Sequence, residues 1–273
     1  MSLLQRTKRL LHLYRFSPKK RLGQNFVVDT DLLQRLIGYG ALAQDDVVLE
    51  VGAGLGFLTR FISSGCKKVI SVEVDRELMK LLGEQLHDLQ NVDLIEGDIL
   101  KVSIPQFNKV ISTPPYSISS LLLFWLLELK FDCAVLTFQK EFAERLVASV
   151  GSRSYGRLTV TAYYRAEIEL LEYVSREMFY PPPDVDSAIV RLRPRASPFE
   201  VEDEEVFLDL VRTLFTQRNK KVRNSIIPFL QKRGLKKRRA VEVAEFLVFH
   251  EKRARKLAPE DFGALSNEII RNL

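Results

Sequence analysis

The chain is 273 residues long, 46% hydrophobic and 28% charged, with a formal net charge of +6, enough apolar material for one large domain or a large one with a small companion; disorder is excluded as its main character. Its longest apolar run is seven residues, 121–127, far short of the roughly 18 to 20 a transmembrane helix needs, and the basic N-terminus lacks an apolar core followed by a small-residue cleavage site, so a soluble, cytoplasmic protein is expected. Two cysteines, Cys66 and Cys133, are too few for a disulfide framework and too far apart for a metal motif, and with only three histidines beside them no metal site is expected.

Short β-branched runs predict strands over 45–51, 68–74 and 92–95, and apolar residues at helical spacing predict helices over 57–64 and 76–89. The alternation continues with a strand at 109–112, a helix over 117–130, a strand at 133–138 and a helix over 140–150. Such alternation implies βαβ units and a parallel sheet. Segments 157–164, 168–174 and 187–192 read as strands without intervening helices, an antiparallel end to that sheet. The prolines at 194 and 198 then break the pattern, and beyond the acidic run 200–205 the chain is helical in pattern. An α/β domain over 1–196 with a basic N-terminal arm, followed by a small all-α domain over 197–273, is the expected organisation.

Charge is segregated along the chain. Residues 1–28 hold seven Lys and Arg and no acid, residues 29–211 hold 29 acids against 18 bases, and residues 212–256 hold 15 bases against three acids. Basic flanks on an acidic body suit a polyanionic partner, because phosphates bound by Lys and Arg release counterions.

Glu50-Val-Gly-Ala-Gly-Leu-Gly56 lies between a predicted strand and a predicted helix, where glycines let the backbone turn tightly and come close to a ligand. A dinucleotide fingerprint would place its third glycine at position 57, which is Phe57, and no Gly-Lys-Ser/Thr follows, so neither nicotinamide binding nor a Walker loop is indicated. Glu73 ends the second predicted strand 21 residues after Gly52, close to the roughly 20-residue interval at which a carboxylate reaches ribose hydroxyls. Asp98, after the third strand, is placed to accept from an adenine amine in the same crevice. Gly52, Gly54, Glu73 and Asp98 together indicate an adenosine-containing ligand. Their order resembles the Rossmann-like S-adenosylmethionine-dependent methyltransferases, and it is this resemblance that supplies the identity of the cofactor.

Strand 109–112 runs into Thr113-Pro114-Pro115-Tyr116. The corner resembles the Asn/Asp-Pro-Pro-Tyr or Asn-Leu-Pro-Tyr loop of amino-methyltransferases that act on nucleobases, with Thr113 in the first place. An exocyclic amine is a poor nucleophile because its lone pair is delocalised into the ring, so the site needs hydrogen-bond acceptors rather than a strong base. The Pro114 carbonyl and the Thr113 hydroxyl are the candidates, Pro115 completes the corner, and the Tyr116 ring is suited to stack on a base turned out of its helix. Ser/Thr-Pro-Pro-Tyr also occurs in enzymes that methylate the cytosine amine, so a cytosine target stays open. So does an RNA-binding role in ribosome assembly with weak or no methylation.

Three further segments narrow the reading. Pro18-Lys-Lys-Arg-Leu-Gly-Gln-Asn-Phe-Val-Val-Asp29, Gln139-Lys-Glu-Phe-Ala-Glu-Arg145 with Tyr155-Gly-Arg157, and Phe179-Tyr-Pro-Pro-Pro-Asp-Val-Asp-Ser-Ala-Ile-Val190 are similar, in that order, to motifs of the rRNA adenine dimethyltransferases. That family comprises small-subunit enzymes and their large-subunit, antibiotic-resistance relatives, and the second segment, Gln139–Arg145 with Ser154-Tyr-Gly-Arg157, favours the small-subunit branch. The resemblance implies dimethylation of two adjacent adenosines near the 3′ end of small-subunit rRNA, by a monomer using S-adenosylmethionine. It places Gln24, Asn25 and Val27 beside the cofactor with Gly52, Gly54, Glu73, Asp98 and Thr113, and sets Phe179 and Tyr116 on either side of the target adenine. It also assigns RNA contacts to Lys19, Lys20, Arg21, Arg145 and Arg157, and to Arg218, Lys220, Lys221 and Arg223 in the segment that opens the helical domain.

Overall fold

A computed structural model describes residues 1–272. The chain forms two compact units, one made of Met1–Ala143 with Glu169–Pro194, the other of Glu144–Ile168 with the segment that begins at Arg195.

The first unit opens with α1 (Leu3–Leu13), whose cap is reciprocal: the Ser2 hydroxyl accepts from the Gln5 amide, and the Gln5 side chain accepts from the Ser2 amide. The short strand β1 (Phe26–Val27) leads into α2 (Thr30–Gly40), where the Asp29 carboxylate caps the Leu32 amide at 2.7 Å. The repeating pattern follows as β2 (Val47–Val51), α3 (Phe57–Ser63), β3 (Lys68–Glu73), α4 (Arg76–Gln85), β4 (Val92–Glu96), β5 (Lys109–Ser112), α5 (Ser119–Leu126), β6 (Cys133–Gln139) and α6 (Lys140–Leu146). After α7 (Arg157–Arg165) come β7 (Ala166–Val174), β8 (Phe179–Tyr180) and β9 (Ser187–Pro194).

Seven strands make one sheet in the order β4-β3-β2-β5-β6-β9-β7. The first five are parallel, and β9 runs antiparallel to β6 from Ala134↔Leu192 to Gln139↔Ser187. This is the expected Rossmann-like sheet with its antiparallel end. Side-chain bonds tie β2 to β5 at both ends. At their N-terminal ends Asp46 accepts from Asn108 Nδ2 at 2.7 Å and pairs with Lys109 at 2.9 Å. At their C-terminal ends the backbone ladder stops at Leu49↔Val110, and the Ser112 hydroxyl takes over, donating to the Val51 carbonyl at 2.6 Å. The strands part there, at the point where the strand order reverses and a crevice opens above their carboxyl ends.

β1 pairs with β8 outside this sheet, Val27 opposite Phe179 and Phe26 opposite Tyr180. The main core of the unit joins Leu32, Leu33 and Leu36 of α2 to Val48, Val69, Ile111 and Val135 of the sheet and to Phe26 and Phe179.

The second unit adds α8 (Glu204–Thr216), α9 (Val222–Ser225), α10 (Ile227–Lys232), α11 (Lys237–Phe246) and α12 (Pro259–Asn272). Its core packs Phe207, Leu210 and Leu214 of α8 with Phe229, Phe262 and Leu265, and with Tyr155, Val160 and Tyr164 from the segment before β7. Two sequence readings are corrected here. Segment 157–164, read as a strand, is helix α7, because Leu158, Thr159, Val160, Thr161, Ala162 and Tyr164 are all buried and a period of two cannot describe a stretch enclosed on nearly every side. That burial also carries residues 144–168 into the second unit. The expected boundary at 196/197 lies within two residues of the crossing at Pro194–Arg195, but the chain crosses between units three times rather than once.

Candidate active site

The carboxyl ends of β2, β3 and β5 and the loop before β1 converge on one cavity. It is lined by Gly52, Ala53, Gly54 and Leu55, by Glu50 and Glu73, by Gln24, Asn25, Phe26 and Val27, and by Phe57, Thr113 and Pro115. The glycine turn is shaped by left-handed backbone. Gly52 has φ +81°, and a Cβ there would lie 3.3 Å from Pro115 Cδ; Gly54 has φ +57°, with Phe26 Cδ1 only 3.1 Å from where its Cβ would be. Neither glycine can therefore carry a side chain without backbone strain and crowding against Pro115 or Phe26.

Two buried carboxylates face this turn. Glu73, 5% exposed, accepts from the Gly54 amide at 3.0 Å with one oxygen and from the Asp75 amide at 2.9 Å with the other. Burial raises its pKa, the backbone donors opposing the shift. Glu50 is 1% exposed, and one of its oxygens accepts from the hydroxyls of Thr59, at 2.6 Å, and Ser71. The other, Oε1, is buried without a partner among the described residues. Burial pushes the Glu50 carboxyl up to about 7, against the lowering effect of the two hydroxyls. An acceptor left unsatisfied beside a cavity costs free energy until a donor arrives. Glu50 was not among the expected site residues, although its signal was legible as the acid immediately before the first glycine at a strand end.

The loop before β1 is held by a charged network. Gln24 accepts from the Lys19 amide at 2.7 Å and donates to Asp75 Oδ2 at 2.7 Å, while Lys19 Nζ reaches Asp75 at 2.9 Å and Glu77 at 2.8 Å. Burial pushes the Asp75 carboxyl up, but the bonds from Lys19 and Gln24 outweigh it and leave the net value below the usual range. Asp75 also caps α4 through the Glu77 amide at 3.1 Å. Lys19 is thereby a structural cation of the cavity wall.

At the end of β5, Thr113 is half-buried and Pro114 buried. Neither the Thr113 hydroxyl nor the Pro114 carbonyl takes part in a hydrogen bond among the described residues, which leaves two acceptors available at the corner. Tyr116 is half-buried, with its hydroxyl bonded to Ser187 Oγ.

The remaining expected residues fall elsewhere. Asp98 does not line the cavity: Oδ1 accepts from the Leu100 amide at 3.1 Å and Oδ2 lies 3.4 Å from Lys101 Nζ. Phe179 is 4% exposed and belongs to the core. Of the cations expected on RNA, Arg218 donates to the carbonyls of Ser152 and Arg153 at 2.9 and 3.0 Å. Lys221 pairs with Glu251, and Arg223 with Glu251 at 2.7 Å and Glu245 at 3.1 Å. Lys20, Arg21, Arg145, Arg157 and Lys220 are exposed and in no ion pair among the described residues.

No group of three or more His, Cys, Asp and Glu side chains is placed to hold a metal ion, and no helix is long and apolar enough to cross a membrane, among the described residues.

Comparison with known proteins gives a consistent picture. The family model described as ribosomal RNA adenine dimethylase matches residues 15–270. A probable ribosomal RNA small subunit methyltransferase A of Methanosarcina acetivorans is 44% identical over 249 residues, covering 90% of this chain and 92% of the relative. The crystal structure of a dimethyladenosine transferase from Plasmodium falciparum is similar with a TM-score of 0.79 at 30% identity, over 90% of this chain and 98% of the other. That of the 23S rRNA methyltransferase ErmE is similar with a TM-score of 0.69 at 32% identity, over 89% and 98%.

Proposed function

The chain belongs to the ribosomal RNA adenine dimethylase family, and on that premise we propose that it transfers methyl groups from S-adenosylmethionine to the N6 amines of two adjacent adenosines near the 3′ end of small-subunit rRNA. The choice of subunit is supported by the 44% identity to a protein named for the small subunit, against 32% to one named for 23S rRNA. The observation that carries the reading is the convergence of the glycine turn, Glu50, Glu73, Thr113 and Pro115 on one cavity.

The residues present fit the methyl donor. Glu50 Oε1, buried and unpartnered, is an acceptor suited to an ammonium group. Glu73, aligned by two backbone amides, keeps lone pairs for ribose hydroxyls. Gln24 and Asn25 close one side, and the missing side chains at Gly52 and Gly54 leave room for the backbone to touch the ligand. Asp98, turned to its own loop and outside the cavity lining, is left out of this set. S-adenosylmethionine, when bound, supplies a methyl group on a positively charged sulfur.

The protein's own part in transfer is positioning. Thr113 Oγ1 and the Pro114 carbonyl accept from the target amine and favour the charge that develops on its nitrogen. The Tyr116 ring offers a stacking face, whereas Phe179 is held in the core and is assigned none. A base within a stacked helix is out of reach, so the adenosines are presented flipped or looped. Lys20, Arg21, Arg145, Arg157 and Lys220 are the cations proposed for the RNA backbone. The reaction is assigned to cytoplasmic maturation of the small ribosomal subunit, by a monomer. The alternatives that Thr113 leaves open, a cytosine target or an assembly role without methylation, are not favoured by any of the relatives' names.

Labelled methyl donor incubated with partly assembled small subunits, followed by mapping of the modified nucleotides, tests the reading. Dimethyladenosine at neighbouring positions is the expected product, and label on cytosine or none at all would overturn it.

A further inference from the structure

The family match begins at residue 15, so α1 lies outside it. The inner face of this helix is firmly seated, with Thr7, Leu10 and Leu11 buried and both leucines in the main core. Three further contacts fix it beside the cavity. The Arg6 guanidinium lies 5.2 Å from the centre of the Phe57 ring, and Phe57 lines the cavity. Lys8 Nζ lies 5.3 Å from the centre of the Tyr180 ring, next in the chain to Phe179. The Tyr14 hydroxyl donates to Glu84 at 2.6 Å.

The outer face has a different character. Lys8, Arg9 and His12 are exposed along it, and Arg15, Lys20 and Arg21 continue the exposed cations beyond its end. No acid occurs in residues 1–28. Arg9, Arg15, Lys20 and Arg21 form no ion pair among the described residues, whereas Arg35, Arg60 and Arg191 in the same unit are each matched by a carboxylate within 2.9 Å. Exposed cations without a carboxylate partner are open to the phosphates of a polyanion, which sheds its counterions on binding them.

We infer that the outer face of α1, through Arg9 and Arg15 and continuing to Lys20 and Arg21, is a docking surface for the phosphate backbone of the substrate RNA flanking the target bases. The inference rests on the reading of the substrate as RNA and deepens it by naming a contact surface outside the shared family core. A basic amphipathic helix also suits an anionic membrane surface, but here the apolar face that would enter the lipid is already buried in the core.

Deleting α1 would uncover core leucines, so the test uses point variants of the full chain: Arg9→Gln with Arg15→Gln, and as a charge-preserving control Arg9→Lys with Arg15→Lys. A small-subunit rRNA transcript is the binding probe, over a range of salt, and partly assembled small subunits with labelled methyl donor give the kinetics. For the Gln pair, the slope of log affinity against log salt should fall by about 2, and KM for RNA should rise about tenfold, with kcat and cofactor affinity unchanged. The Lys pair should stay close to the parent protein. An unchanged salt slope and KM in the Gln pair overturn the inference, as does loss of binding to anionic vesicles with RNA binding intact. If the parent protein binds RNA without methylating it, the proposed function fails while the slope comparison still decides the role of α1.

Discussion

The hydroxyl of Tyr116 is bonded to the hydroxyl of Ser187, across 71 positions of sequence. Ser187 is fully buried at the first residue of β9, so the bond fastens the corner at 113–116 to the end of the segment that starts with Phe179. Two motifs that are separate in sequence become one structure, with Tyr116 tethered at its hydroxyl. Burial also raises the pKa of that hydroxyl, which keeps it protonated throughout the neutral range.

Tyr116→Phe removes the tether and leaves the Ser187 hydroxyl unsatisfied in the interior. We expect a loss of about 1 to 2 kcal/mol in denaturant unfolding. Methyl transfer should fall roughly tenfold, because an untethered ring holds the base less squarely. Tyr116→Ala should lower transfer further by removing the stacking face. Calorimetric titration with the methyl donor should give an unchanged Kd for both; a large loss of donor binding would mean that the ring serves the cofactor rather than the base.

Glu50 gives a pH dependence with a definite sign. Its carboxyl titrates near 7 in the folded protein, against 4.5 when unburied. Since the folded state binds this proton more tightly, the associated stability is full below about 4.5 and is lost as pH rises toward 7, a span of about 3 kcal/mol. Donor binding runs the other way, because an ammonium group needs the carboxylate. Affinity should therefore tighten about tenfold between pH 5.5 and 7, and Glu50→Gln should bind more weakly at pH 7 and abolish the slope. A slope that survives in Glu50→Gln would assign the titration to another group.

Where a backbone requirement restricts the choice of residue, the fold was legible in the chain. The glycine turn demands positive φ at Gly52 and Gly54, and few residues but glycine meet that demand, so the motif stood out. The parallel strands β2, β3, β5 and β6 were legible because they are buried along nearly their whole length and read as nearly continuous apolar runs. Helix α7 was not, because its Leu-Thr-Val-Thr composition suits a strand and only packing against Phe207 and its neighbours decides otherwise. α1 and α2 went unassigned, although Ser2 with Gln5 and Asp29 before Thr30 are capping signals. Asp98 stands at the expected strand end, but spacing does not tell which way a carboxylate turns, and it turns to its own loop. Lys19, Arg218, Lys221 and Arg223 read as free cations because their partners are brought to them only by the fold.

Thr113 stands where an asparagine or aspartate was expected, with a hydroxyl in place of a carbonyl. Thr113→Val keeps the shape and removes the acceptor, so kcat should fall by roughly ten- to a hundredfold with donor affinity unchanged. Thr113→Asn lengthens the side chain and restores a carbonyl, and turnover should rise severalfold. Single-turnover methylation of partly assembled subunits separates this step from product release. Equal rates in all three proteins would remove residue 113 from the reaction and leave the Pro114 carbonyl as its acceptor.

Lys19 tests the claim that the wall of the cavity is held by charge. Its ammonium is partly buried against Asp75, which is 4% exposed and keeps only Gln24 and the Glu77 amide as partners if Lys19 is lost. Lys19→Met should lower the denaturant midpoint near neutral pH, by less than the loss of a fully enclosed pair because the lysine retains solvent. The folded Asp75 carboxyl titrates below its unfolded value, so this stability exists above the unfolded pKa and disappears as pH falls through the folded one. The difference between parent and variant should accordingly be largest at pH 7 and close in acid, read by denaturant midpoints at both. Because Gln24 shares Asp75 with Lys19 and lines the cavity, donor affinity should also weaken severalfold. Were Lys19 instead a phosphate contact on the surface, the variant would lose RNA affinity and salt dependence while its stability and donor binding stayed at the parent's values.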